Sequence, residues 1–490
     1  VGSSDGIQEP RLIIGKNLSA PYAALSHCWG GTIPAATTES NYVERLNSIP
    51  FSSLPKTFQH AIVVTRELGL RYLWIDSLCI IQHNETDWKE HCLIMGDIYK
   101  NSAVTLAAPA AANSNVGFLD PKAAPFKRKF TIFHGEESYN ILLLHQIQED
   151  PFLPESEQNS PLAERGWVVQ ESLLAPRTLY FGSKRIYFEC CTNIWHENLH
   201  FPYVGDYQAL DRVQKHELRS LTDVTSALQF WVHLVHTYME TRLTYETDRL
   251  PALSGLAREI HSSIKSKYLA GIWECDVMRE LSWYIPYYSW ANNSQRFQTT
   301  NGGYIAPSWS WASAKSGVSS CIPNYAFVFH DVAKAINATV NLADLDEFGR
   351  VSDGLLKIRG RSMTFEIHEL LDDKIAKKRL QLYLRSPQCG ETILGQFEPD
   401  EPPKTKRKLG SKIHYASSLS SPFSKPIQFL YLGYWGDSNG ASREWSALAI
   451  QPIMDRENRY RRIGLAHGGS RFNGAKELLE HAQMITVEIV

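Results

Sequence analysis

The first 190 residues alternate between short apolar runs and segments whose apolar residues recur three and four apart. YAALSHCW (22–29) is an apolar run closed by Gly30 and Gly31, which predicts a buried strand ending in a loop. In LPKTFQHAIVVTRELG, Leu54, Phe58, Ala61, Ile62, Thr65 and Leu68 fall on one helical face. Pro55 suits the first turn of that helix and Gly69 its stop. RYLWIDSLCIIQ predicts a second buried strand carrying Asp76 in its middle. DWKEHCLIMGDIYKNS then sets Trp88, Cys92, Met95 and Tyr99 at helical spacing, with Asp87 and Glu90 as a capping box. AVTLAAPAA is a third buried strand. Strand, helix, strand, helix and strand in that order predict an α/β fold, a mostly parallel sheet with flanking helices.

The pattern breaks near 113–160, where KFTIFHGEESYNILLLH reads as two strands inside a polar insertion. It resumes with PLAERGWVVQESLLAPR, a predicted helix stopped by Pro176, and with TLYFGSKRIYFEC, a predicted strand. Residues 205–318 read as a helical, aromatic-rich segment packing on the domain formed by 1–204. Its predicted helices are LTDVTSALQFWVHLVHTYMET, LPALSGLAREIHSSI and WECDVMRELSWYIPYYSW. Residues 319–490 read as a β-rich C-terminal domain, through GLLKIRGRSMTFEIHEL, KRLQLYLRS, IQFLYLGYW and EWSALAIQPI, with EPDEPPKTKRKLGSK as an exposed loop. In APSWSWAS, strand alternation would set Trp309 and Trp311 on one face, against the first domain near its site.

Charge and cysteine content narrow the function. The 50 Lys and Arg against 52 Asp and Glu give a net charge of −2, without the basic excess of a nucleic-acid binder. No run approaches the length of a membrane span, and the first residues lack the pattern of a signal peptide. The eight Cys contain no C-x-x-C pair and fit reduced thiols, so a cytoplasmic protein is expected. Cys191, His196 and His200 have a zinc-like spacing, but Cys191 ends a strand and reads as core; no metal is expected. The 13 Trp and 22 Tyr serve core packing or, less simply, a stacking surface for a planar ligand.

Six motifs in register carry a family resemblance: YAALSHCWGG, LPKTFQHAI, LGLRYLWIDSLCIIQ, DWKEH with IMGDIY, AVTLAAP and RGWVVQESLLAPRTLYF. In that order over residues 20–190 they resemble the fungal heterokaryon-incompatibility (HET) domain. The later DRLPALSGLA, YLAGIW and APSWSWAS are similar to the segment that commonly follows it. The resemblance implies a role in fungal non-self recognition and regulated cell death. HET domains are remotely similar to TIR domains, whose flavodoxin-like sheet supports NAD cleavage in many members. That likeness implies a TIR-like fold, NAD as substrate with no resident cofactor, and self-assembly through the HET domain. It sets RGWVVQE on the helix that bears the catalytic glutamate, hence Glu171 as catalytic carboxylate.

The residues themselves bear on this assignment. Trp167 and Glu171 are four apart and share a helical face. There a carboxylate could stabilise an oxocarbenium-like state and an indole could stack; an exposed Glu171 paired with Arg165 or Arg177 is the structural alternative. Arg165 and Gln170, of the same motif, and Ser26, Trp29, Gly30 and Asp76, at predicted strand ends, are the candidate substrate-binding residues. Glu90 is a competing acid explained by its capping position. Cys28 with His27 would be a thiol nucleophile and base, but adjacent strand residues face opposite ways. Gly30-Gly31 lacks the spacing of a phosphate loop. The alternatives are a non-catalytic signalling module, and an enzyme acting on a hydrophobic small molecule with the aromatic cluster as its pocket.

Overall fold

The computed structural model describes the chain except residues 3–7, 17, 32–34, 120–126, 135–136, 145–159, 184, 197–212, 286–302, 315–318, 321–327, 371–380, 386–392, 401–405, 410–411, 416–426, 437–441, 455, 457 and 470–481. It forms two compact units, Val1–Ser220 and Leu221–Val490.

In the first unit the predicted alternation is present: β1 (Tyr22–Ser26), α1 (Tyr42–Asn47), α2 (Lys56–Glu67), β2 (Tyr72–Trp74), α3 (Asp76–Cys79), α4 (Glu85–Lys100) and β3 (Val104–Ala107). A hairpin, β4 (Lys127–His134) and β5 (Glu137–Leu144), occupies the insertion as expected. Helix α5 (Gly166–Leu174) follows, then β6 (Arg177–Phe181), β7 (Ile186–Cys190), β8 (Ile194–His196) and the short helix α6 (Lys215–Arg219). The sheet runs β2-β1-β3-β6-β7-β8. Strands β2, β1, β3 and β6 are parallel, and β7 and β8 turn back antiparallel. The chain leaves β1 to one side for β2 and returns to the other side for β3. Strand order therefore reverses beside β1, the place where open α/β sheets bind ligands at their carboxyl ends. Leu54, Phe58, Ala61, Ile62 and Thr65 are buried, as their spacing predicts, whereas Leu68, just past the end of α2, is exposed.

Four local expectations are corrected here. RYLWIDSLCIIQ is not one strand: β2 ends at Trp74 and Asp76 opens α3, where its Oδ1 accepts from the Ser77 N–H at 2.7 Å. A short acid suits a first helical turn better than a strand interior. Helix α4 is capped by Asn84, whose Oδ1 accepts from the Asp87 N–H at 2.9 Å. Asp87 instead accepts from the Ile81 N–H at 2.7 Å, and Glu90 is exposed, so the two form no capping box. The helix expected over 161–177 begins only at Gly166, after a turn, and does stop before Pro176. TLYFGSKRIYFEC is a hairpin, with Leu179 opposite Phe188, because Gly182 and Ser183 interrupt the run.

The second unit begins with α7 (Val224–Met239) and α8 (Pro251–Ile264), both as predicted. Short pairs β9 (Tyr268–Leu269) with β10 (Ile272–Trp273), and β11 (Trp283–Tyr284) with β12 (Ser319–Ser320), flank the single helical turn Val277–Glu280. The expected aromatic helix over 273–290 is therefore absent up to 285, and 286–290 lie outside the described residues. Trp273 and Trp283 of that segment are buried, and Trp231 of α7 meets Trp273 edge-on at 5.6 Å between ring centroids. The indole N–H groups of Trp231 and Trp311 both donate to the Gly271 carbonyl, at 3.0 and 2.7 Å. A Cβ at Gly271, whose φ is +102°, would lie 2.7 Å from the Trp311 ring, so only glycine fits. Trp309 and Trp311 are not on a strand; Trp311 opens a 3-10 turn and both are wholly buried within this unit. Trp231, Trp273, Trp309 and Trp311 thus belong to the core of this unit.

The rest of the unit is β-rich: β13 (Val328–Asp331), β14 (Lys334–Leu342), β15 (Val351–Leu370), β16 (Gln381–Arg385) and β17 (Ile393–Pro399). Then come β18 (Lys406–Leu409), β19 (Lys412–Tyr415), β20 (Ile427–Gly436), β21 (Ser442–Pro452), β22 (Arg459–Gly469) and β23 (Gln483–Ile489). The pairings β15-β16-β17-β22-β21-β20 return to β15, closing a circuit of antiparallel strands. Alternate residues face inward, and Phe365, Phe397, Phe429, Tyr431, Trp445 and Ala466 share one buried cluster. EPDEPPKTKRKLGSK contributes the hairpin β18–β19 where a loop was expected; the remainder of that loop, save Glu398–Asp400, lies outside the described residues.

Candidate functional site

Strand β1 brings Ser26 to its carboxyl end, and the buried first turns of α5 face it. The Ser26 hydroxyl donates to Glu171 Oε2 at 2.5 Å, joining residues 145 apart in sequence. Glu171 is only 5% exposed and also hydrogen-bonds the Tyr99 hydroxyl from α4. Burial pushes its carboxyl up to about 7, against the opposing pull of the Arg165 charge and the Ser26 hydrogen bond. The exposed ion pair with Arg165 or Arg177 is thus not what forms.

Around this acid the structure gathers most of the sequence candidates. The Trp29 indole N–H donates to Asp76 Oδ2 at 2.8 Å. The Arg165 guanidinium lies 5.8 Å from the centre of the Trp29 ring and donates to the His27 carbonyl. Trp29, Asp76, Arg165 and Trp167 are all half-buried, and Gln170 is buried on α5 beside Glu171. Gly30 and Gly31 turn the chain away from β1 with φ of +76° and +101°. A Cβ on Gly30 would lie 1.9 Å from the Asn113 Cβ. Gly30→Ala is therefore expected to cost about 1–3 kcal/mol in chemical denaturation; an unchanged midpoint would show that the turn relaxes.

Of the remaining candidates, His27 and Glu90 fall elsewhere, while Cys28 lies near enough to Glu171 to feel its charge. His27 is buried edge-on to Phe58, and burial pushes its imidazole down to about 4. Cys28 packs in a different cluster, with Ala107 and Leu162, where burial raises its thiol. Glu90 is on the exposed face of α4. Tyr99 was not singled out by sequence as a site residue. Its place in a helical apolar stripe signals core, and nothing in that spacing shows its hydroxyl reaching both Leu25 O, at 3.1 Å, and Glu171. Among the described residues, no group of three or more His, Cys, Asp or Glu is placed to hold a metal ion, and no helix is long and apolar enough to cross a membrane. The Cys191 thiol donates to the Pro176 carbonyl at 3.6 Å, and His200 lies outside the described residues.

The pH dependence has a definite sign. Between the ordinary 4.5 and about 7, the native state keeps the Glu171 proton that the unfolded chain has lost. Its stabilising contribution is full at low pH and is lost as pH rises through 7. His27 acts oppositely: its contribution is full above 6.5 and is lost as pH falls toward 4. Subtracting the stability of Glu171→Gln from that of wild type removes the His27 part. That difference is expected to fall by about 2–3 kcal/mol between roughly pH 5 and pH 8, measured by urea unfolding. A pH-independent difference would mean that Glu171 titrates like an exposed acid.

Fold and site together define an α/β domain with a buried acid at the carboxyl edge of its parallel strands. Residues 22–171 match the family model described as Heterokaryon incompatibility protein (HET), so the chain carries a HET domain from the first residue of β1 to Glu171 itself. No curated protein and no solved structure matches the chain.

Proposed function

We propose that this HET domain serves fungal non-self recognition and regulated cell death by hydrolysing the nicotinamide–ribose bond of NAD, with Glu171 as the catalytic carboxylate. The observation that carries this reading is the buried Glu171–Ser26 pair at the strand-order reversal, ringed by Trp29, Asp76 and Arg165. The sheet order β2-β1-β3 is that of flavodoxin-like folds, which supports the TIR-like assignment.

In the reaction the C1′–N bond breaks with its electron pair going to the nicotinamide nitrogen. Water adds its oxygen to C1′ and releases a proton, giving nicotinamide and ADP-ribose. The oxocarbenium-like state carries positive charge on the ribose, and an ionised Glu171 in a dehydrated site stabilises that charge more strongly than it would in water. Trp29 and Trp167 supply stacking surfaces, Arg165 a cation for the pyrophosphate, and Asp76 an acceptor for hydroxyl or amide groups. Incubating the purified protein, as monomer and after self-assembly, with NAD tests the reading: nicotinamide should appear in the chromatogram. Inert protein in both states would remove the catalytic claim and leave the signalling-module alternative.

A further inference from the structure

A second buried polar network lies beyond the HET match, on the other side of α5. Lys215 of α6 is 1% exposed, yet it carries an ammonium group. Its Nζ donates to Thr178 Oγ1 at 2.6 Å and lies 3.2 Å from Glu189 Oε2. The same Glu189 oxygen accepts from the Tyr180 hydroxyl at 2.8 Å, and that hydroxyl is 3.0 Å from Ser172 Oγ. Ser172 is the neighbour of Glu171. Helix α5 is thus tied on one side to β1 through Glu171, and on the other to β6, β7 and α6 through Ser172. Arg219 adds a second hold, donating to the Leu174 carbonyl at 3.4 Å, where a cation suits a helix C-terminus.

We propose that Lys215 is a positioning residue for Glu171: its buried pair with Glu189 braces helix α5 so that the acid stays dehydrated against Ser26. The functional unit then extends through α6, well past residue 171. Removing the ammonium leaves the Glu189 charge buried and unpaired, and such a charge draws in water or shifts its surroundings. Water admitted beside α5 hydrates Glu171 and lowers its titration midpoint. The groups facing Glu171 itself are Cys28 after β1, Asp76 in α3, Tyr99 in α4 and Arg165 ahead of α5, and none of them is altered by the test.

The proposal rests on Glu171 being the reactive acid, but its test does not need activity. Full-length protein with carboxyl-labelled glutamate is titrated by ¹³C NMR, the Glu171 signal being assigned by its loss in Glu171→Gln. In Lys215→Met the midpoint should fall by about one pH unit or more. In Lys215→Met with Glu189→Gln, which restores charge balance, it should return toward wild type. Should Lys215→Met not fold, Ser172→Ala breaks the same chain by a single hydroxyl and should move the midpoint in the same direction. A folded variant with the wild-type midpoint overturns the proposal, even if its melting temperature is lower. A midpoint that moves in a protein releasing no nicotinamide upholds the brace while removing the NAD reading. Release with an unmoved midpoint does the reverse.

Discussion

Glu171→Gln is expected to slow nicotinamide release, with kcat lower by about 10²–10³-fold and the fold intact. The amide has the size of the acid and can still accept from the Ser26 hydroxyl, which now lies 2.5 Å from Glu171 Oε2. It lacks the negative charge that the developing ribose cation requires. The ribose gains its positive charge only as the C1′–N bond breaks, so the carboxylate acts mainly on the transition state and the loss falls on kcat more than on KM. With the carboxyl pushed up to about 7, wild-type activity should rise through neutral pH as the acid ionises. The residual activity of the variant should lack that limb. A Glu171→Gln protein as active as wild type would end the assignment, and Glu171 would then be a buried structural acid.

The parallel sheet was legible because each strand is a short apolar run and each helix keeps a face at helical spacing. Phe58, Ala61, Ile62 and Thr65 illustrate this, being buried where the spacing put them. Asp76 was misplaced because Ile-Asp-Ser-Leu-Cys-Ile is apolar enough for either a strand or a turn of helix; only the Ser77 N–H decides. The cap of α4 moved back three residues because Asn84 and Asp87 are both good caps, and local sequence does not rank them. Glu171 was named from its motif, but its environment depends on contacts from β1 and α4, which no periodicity encodes. The brace through Lys215 was hidden more completely, since a lysine between polar residues reads as solvated surface. The closed strand circuit of the second unit was equally illegible, because alternation gives strands and faces but not closure.

In that second unit, Arg462→Met is expected to destabilise the protein by about 3–5 kcal/mol. The Arg462 side chain on β22 has no exposed surface. Its Nε and Nη2 donate to the two Asp400 oxygens at 2.9 and 3.2 Å. Nη1 donates to the Leu281 carbonyl at 2.8 Å, Nη2 also to the Trp283 carbonyl, and the guanidinium stacks 3.2 Å from the centre of the Trp283 ring. One planar fork thus ties β22 to the segment carrying β11 and to the end of β17. Methionine fills the volume but removes the two guanidinium donors from the Asp400 carboxylate and one from each of two carbonyls. Arg462→Lys should recover little, since one ammonium cannot make four divergent hydrogen bonds and stack at once. Arg462→Met with Asp400→Asn should recover part of the loss, because the carboxylate charge is gone while the carbonyls still lack the guanidinium. Urea unfolding followed by tryptophan fluorescence is the suitable measurement, as eight of the 13 Trp lie in residues 221–490. A loss below about 1 kcal/mol for Arg462→Met would mean that water replaces the guanidinium freely, and that the fork is not what joins these segments.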